Sequence, residues 1–298
     1  MSSLHRFLTD NSQVLLSHVP AVRDGAVEAI HDARVATRRI RAALDIINRH
    51  YSESTFQAAA ALAKKAARAL GRARDIDVSL NLLADLERRA PAAAPAAALC
   101  RRELLRERQL ARRRLVKKFD GLPLDTLPRL VSAAVPRLDR VLQSGAHDRA
   151  RSVADAIHHA SGVYFPRRAH AARVEIKKLR YLLEFSGESD EGALKVLRKS
   201  QQLLGDIQDR QVLYETVEAM RDDAVASGAD LEPLLALLEA ECVVIYDRFL
   251  ERRSEVLAVC QRLTSPVVAR RSTAVTGLLT LGAVAAGSAW QLRRARAS

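Results

Sequence analysis

Two short stretches of this chain carry residue types at a spacing suited to holding a polyanion. His31, Arg34, Arg38 and Arg41 form the first set, and His170, Arg173, Lys177 and Arg180 repeat its spacing 139 residues later. On an α-helix, at about 100° per residue, each set falls within about 80° of arc and makes one stripe on one face. Each stripe holds three cations and one histidine, with no carboxylate among them. Solvated helices gain support by mixing signs at i,i+4, whereas like charges there repel. A same-sign stripe is therefore relieved by an anion seated among its members. Arginine suits phosphate, because its planar fork donates two parallel hydrogen bonds. Flanking phosphates would also raise the pKa of His31 and His170, letting both join as cations.

The elements that must position these stripes are helices. Ile40, Ala43, Leu44 and Ile47 lie opposite the first stripe, and Leu179, Leu182 and Leu183 form the core side of the second. Arg39 and Lys178 flank the stripes. A following helix adds Lys64, Lys65 and Arg68 in the first half, with Arg198 and Lys199 in the second. A second match trails each stripe: Leu70-Gly71, Asp75 and Val78 correspond, at an offset of 134, to Leu204-Gly205, Asp209 and Val212. An order of features kept twice predicts a duplicated unit. The segment Arg101–Lys118 is also basic, with a net charge of +7, and is the alternative location for an anion site.

Composition agrees with an all-α chain. Of 298 residues, 48% are hydrophobic but only 4% aromatic; Ala and Leu dominate and no alternating strand is evident. The periodicity predicts helices over 4–19, ending near Pro20, and from an N-cap at Asp24 to about 50. Further helices follow over 54–70, 75–89, 96–118, 127–143, 147–164, 167–185, 191–204, 209–226 and 231–263. We expect two tandem helical bundles related by a pseudo-two-fold, residues 1–143 and 144–265, and a tail over 266–298. Residues 274–292 are uncharged and flanked by arginines, close to the length of a membrane span but diluted by Thr, Ser, Gln and Gly. The tail reads either as an anchor to a membrane or granule surface or as a docked or low-complexity segment. Cys100, Cys242 and Cys260 lie far apart with no Cys-x-x-Cys, and no secretory signal is evident, so a reducing cytoplasm is expected.

The stripe helices resemble those of the CHAD family, the conserved histidine α-helical domain. Its mark is a His-x-x-Arg-Val-x-x-Arg-Arg-x-Arg helix in each of two bundles related by approximate two-fold symmetry. Residues 31–41 match this closely; residues 170–180 match more loosely, with Lys177 and Lys178 in place of two arginines. The resemblance covers about residues 1–263. It implies a receptor for inorganic polyphosphate, holding the chain in a basic channel between the bundles, with association with polyphosphate granules. It carries the binding role onto His31, Arg34, Arg38 and Arg41, and onto His170, Arg173, Lys177 and Arg180. Lys64, Lys65, Arg198 and Lys199 follow with less support. Members are often fused to a triphosphate-tunnel domain, for which this chain has neither room nor strand pattern.

Two other readings are kept. The formal charge of +13 suits non-specific nucleic-acid binding, and weak binding of that kind is expected as a secondary property. No aromatics interleave with the basic stripes, however, as they do in single-strand grooves. His31-Asp32 also resembles the His-Asp pair of helical metal phosphohydrolases, but Ala171 follows His170 and no further spaced ligands appear. The chain is expected to be a binding protein and not an enzyme. No residue is assigned a catalytic, metal or cofactor role.

Overall fold

The structure is a computed structural model describing residues 3–51, 53–132, 139–186, 190–226 and 228–265. The hydrophobic tail, with the anchor expected over 274–292, lies outside the described residues. No strand occurs among them. The helices are α1 (Ser3–Arg23), α2 (Val27–His50), α3 (Ser54–Arg89), α4 (Ala94–Asp120), α5 (Leu127–Val131) and α6 (Asp139–Ala160). They continue with α7 (Pro166–Ser186), α8 (Glu191–Glu218), α9 (Arg221–Ala226), α10 (Glu232–Glu251) and α11 (Arg253–Thr264).

The packing order repeats. In the first half α1 lies on α2, α2 on α3 and α3 on α4, with α5 against α1 and α3. In the second half α6 lies on α7, α7 on α8 and α8 on α10, with α11 against α6 and α8. The halves meet where α2 touches α7 and α3 touches α8. The buried apolar residues form three clusters. One fills the first half, including Ile40, Leu44 and Phe56. A second fills the other half, including Ile176, Leu197 and Phe249. The third joins the far ends of α3 and α4 to those of α8 and α10 through Leu83, Leu104, Leu213 and Leu238. At the same end Arg89 and Arg210, one from each half, share Glu241. The expected boundary between residues 143 and 144 falls inside α6. Leu142 packs into the first cluster and Ala150 into the second.

Several helix boundaries differ from expectation, each for a local reason. Gly71 and Gly205 do not end helices. α3 runs unbroken for 36 residues and α8 for 28; a helical glycine costs only about 1 kcal/mol, which burial on either side offsets. Pro20 sits inside α1 near its end, where a missing N–H removes a single helical bond. Asp24 does not cap α2. It lies in the turn after α1, before Gly25, whose φ of 79° closes the helix. There the Gly25 N–H donates to the Val22 carbonyl at 3.1 Å and the Ala26 N–H to the Ala21 carbonyl at 2.9 Å, a Schellman closure. The helix expected over 231–263 breaks at Arg252, whose N–H donates to the Phe249 carbonyl at 3.1 Å, and α11 turns onto α6 and α8. The helix expected over 209–226 breaks likewise, where the Met220 N–H donates to the Val217 carbonyl at 3.0 Å.

Candidate functional site

α2 buries Ala29, Ile30, Ala33, Ala36, Ile40, Ala43, Leu44 and Ile47, a helical period that turns the cationic stripe away from the core. α7 does the same with Ala169, Ala172, Ile176 and Leu179. The contact between α2 and α7 then brings the two stripes together. Arg34 and Arg38 act electrostatically on Arg173, and Arg38 and Arg41 on Lys177, so cations from opposite halves form one group.

The electrostatics of this group are those of crowded like charges. Burial pulls Lys177 down to about 8, helped by the charges of Arg173, Arg38, Arg41 and Lys178. Arg173 is lowered by burial and by Arg38, against the opposing charge of Asp209. His31 is lowered by burial first, then by Arg74, with Asp32 pulling the other way. Asp75 and Asp209, at matched positions on α3 and α8, face the group, and Asp45 of α2 lines the cavity beside it. Asp75 accepts from Arg34 at 3.3 Å. Asp209 is pushed up by burial although Arg173 and Arg74 hold it down. The Nε–H groups of Arg38, Arg39 and Arg173 are buried with no acceptor among the described residues. Buried donors of this kind usually have a partner. Gly71 belongs to this site, since a Cβ there would lie 3.3 Å from Arg34 Nη1. Its counterpart Gly205 faces open space.

Beyond Arg38 and Lys177 the two helices enclose a cavity of about 260 Å³. Arg41, Lys178, Arg49 and Arg149 line it, and Val174 and Leu182 form part of an apolar wall. Arg49, Arg149 and Arg74 were not foreseen from the stripe spacing. Arg149 comes from α6, which no in-helix period can connect to α2 or α7.

The remaining expected residues divide. Lys64, Lys65, Arg68 and Lys199 are exposed, with no ion pair among the described residues. His170 is exposed and bonded through Nδ1 to Gln208 Oε1. Lys178 is paired with Glu175 at 2.6 Å, and Arg198 with Glu191 at 2.8 Å. Arg180 corrects the stripe. Only 9% exposed, it donates to Gln201 and Glu184, each at 2.9 Å, and lies 4.5 Å over the Tyr181 ring. The last turns of α7 are wedged between two cores, with Tyr181, Leu182 and Phe185 in the first cluster and Leu179 and Leu183 in the second. Arg180 itself has no open face left for a ligand.

The basic run on α4 is paired in part: Arg101, Arg106, Arg108 and Arg112 face carboxylates, whereas Arg102, Arg113, Arg114, Lys117 and Lys118 are exposed with no ion pair among the described residues. Arg101 pairs with Glu87 at 2.8 Å and Arg106 with Glu103 at 2.7 Å. Glu107 is gripped through both oxygens by Arg72. Arg108 reaches the buried Asp77 at 2.8 Å. These cations tie α4 to α3 and to itself. Asp32 faces His18 of α1 at 3.7 Å. Among the described residues no three His, Cys, Asp or Glu side chains are grouped to hold a metal ion.

Comparison with known proteins adds the following. The model of the CHAD domain family matches residues 6–218. The fold is similar to the crystal structure of the CHAD domain from the plant Ricinus communis, with a TM-score of 0.66 at 21% identity over 85% of this chain and 90% of that one. It is also similar to PptA from Streptomyces chartreusis, with a TM-score of 0.57 at 19% identity over 88% and 97% of the two chains. At these identities the likeness is one of fold. No curated protein matches the chain.

Proposed function

The chain belongs to the CHAD domain family, and from that premise we propose that it is a receptor for inorganic polyphosphate, held along the cationic group between α2 and α7. One observation carries the reading. Arg34, Arg38, Arg41, Arg173 and Lys177 converge from two halves with a single short ion pair, Arg34 to Asp75, among them. Such a cluster lowers the stability of the free protein and is relieved by a multivalent anion. Polyphosphate offers repeated charge with no base to stack, and the site offers guanidinium forks with no aromatic platform. Tyr181 and Phe185, the aromatics beside the cavity, are 4% and 0% exposed. That arrangement favours polyphosphate over single-stranded nucleic acid, which binds by stacking as well as by charge. The protein acts by binding and not by turnover, with weak nucleic-acid binding as a by-product of its charge.

In the cell the reading places the protein in the cytoplasm, at polyphosphate granules or at a membrane surface reached through residues 274–292. No helix among the described residues is long and apolar enough to cross a membrane.

The direct test is Arg38→Glu combined with Lys177→Glu. Tight binding of long-chain polyphosphate should be lost while circular dichroism keeps its helical signal. Full affinity in the double variant would move the site elsewhere, to α4 first.

A further inference from the structure

Lys177 differs from every other lysine of the chain in its surroundings. There are eight lysines, and only Lys177 and Lys178 are half-buried. Lys178 is ion-paired to Glu175 at 2.6 Å. Lys177 has no ion pair among the described residues, and the largest charge effects on it are positive: Arg173 and Lys178 from α7, Arg38 and Arg41 from α2; Asp45 of α2 lines the same cavity without pairing with it. It lines the cavity together with Arg38, Arg41 and Arg149, against the apolar Val174 and Leu182. A small amine nucleophile is thus set in a partly open cavity, beside several guanidinium groups and an apolar wall.

We propose that Lys177 is a modification site for acyl phosphates, acylated on its ε-amine while the neighbouring arginines hold the phosphoryl group. The inference rests on the anion-binding reading of the same site and extends it to a second class of ligand, one carrying phosphate at one end and a short acyl group at the other. In the reaction the free amine attacks the acyl carbon. A C–N bond forms, the bond from the acyl carbon to the phosphoryl ester oxygen breaks, and the nitrogen proton passes to the departing phosphate. The products are the Nε-acyl-lysine and hydrogen phosphate, with no oxidant or further co-reactant.

The surroundings assist each part of this step. The arginines supply paired donors for the phosphoryl oxygens. The apolar wall accommodates the acyl methyl. In the free protein burial, helped by crowding from cations, brings Lys177 to about 8 and leaves roughly a quarter of the amine unprotonated at pH 7.5 as the reagent arrives, against about one part in a thousand for an ordinary lysine. Acylation then removes one of the five converging cations and fills part of the cavity. It therefore weakens polyanion binding at the same site.

The test uses the full chain, acetyl phosphate at pH 7.5 and quantitative peptide mass spectrometry of all eight lysines. Lys177 should be acetylated at least about tenfold faster than Lys178, Lys64 or Lys65, and excess inorganic phosphate should slow it. Acetic anhydride, which carries no phosphate, serves as the second reagent, and with it the preference for Lys177 should shrink by at least about threefold. A rate at Lys177 no greater than at the exposed lysines overturns the proposal. Equal preference with both reagents also overturns it, because the arginines would then have no part in guiding the reagent. Polyphosphate affinity is measured separately by calorimetry. Fast, phosphate-sensitive acetylation in a protein that fails to bind polyphosphate would sink the receptor reading alone; tight polyphosphate binding with unreactive Lys177 would sink this proposal alone.

Discussion

Raising the pH from 7 to 9 should weaken polyphosphate binding about tenfold, through one side chain. Lys177 is brought to about 8 by burial and by Arg173, Arg38, Arg41 and Lys178. A bound polyanion stabilises the ammonium form and returns Lys177 towards the ordinary lysine range. The sign follows by linkage. The bound state holds more protons than the free state once pH passes the free-state value, so affinity is full below pH 8 and falls above it. With Lys177 at about 8 in the free protein, the protonated fraction drops from about 0.9 at pH 7 to about 0.1 at pH 9. The association constant falls by roughly that ratio, about 1.4 kcal/mol. His31 is also lowered in the free protein, so its own linked loss of affinity begins at more acidic pH than that of Lys177. Long-chain polyphosphate keeps its internal charges throughout. The assay is calorimetry at pH 7, 8 and 9 in two buffers of different ionisation enthalpy, which should also report about half a proton taken up at pH 8. Lys177→Met should bind more weakly at pH 7 and lose the pH dependence. An affinity that is flat between pH 7 and 9, or an equal loss in Lys177→Met, would refute the reasoning.

Further outcomes separate structural from ligand-facing cations. Arg180→Met should lower thermal stability, by about 3 kcal/mol as for other buried pairs broken from one side, because Glu184 and Gln201 lose their donor. Its effect on polyphosphate affinity should be less than twofold. Arg38→Gln should do the reverse, lowering affinity about tenfold while leaving the melting temperature in low salt unchanged or higher. Asp209→Asn removes the carboxylate that opposes the charge on Arg173. It should raise polyphosphate affinity several-fold and lower low-salt stability by about 1 kcal/mol, read by titration and thermal melts.

The stripes were legible because a helical period that buries one face must expose the other. Positions 40, 43, 44 and 47 therefore announced where 31, 34, 38 and 41 would point. That reasoning failed at Arg180 because α7 has no single buried face. Two cores enclose its last turns, and Glu184, one turn on, was the available hint of an internal pair. It failed at Asp24 because a residue that resembles an N-cap also fits the end of a helix closed by Gly25. The second match, Leu-Gly followed by Asp75 or Asp209, was visible as a repeat. Its meaning was not, because the facing of Asp75 to Arg34 and of Asp209 to Arg173 is a contact between helices. The same holds for Arg149 and Arg49, which join the cavity through the packing of α2, α6 and α7. The basic run on α4 carried a strong local charge signal, yet its partners Asp77 and Glu87 lie on α3, where local charge counting does not reach.

The central claim is tested most directly by titrating long-chain polyphosphate into the full chain by calorimetry at several salt concentrations, with single-stranded DNA as competitor. If Arg34, Arg38, Arg41, Arg173 and Lys177 each meet a phosphate, the log–log slope of affinity against salt should be about −3 to −4, taking roughly −0.7 per contact as for a single strand. Excess DNA should fail to displace the polyphosphate. A shallow slope, or DNA binding equal to or tighter than polyphosphate, would contradict the account and make the converged stripes a general polyanion surface.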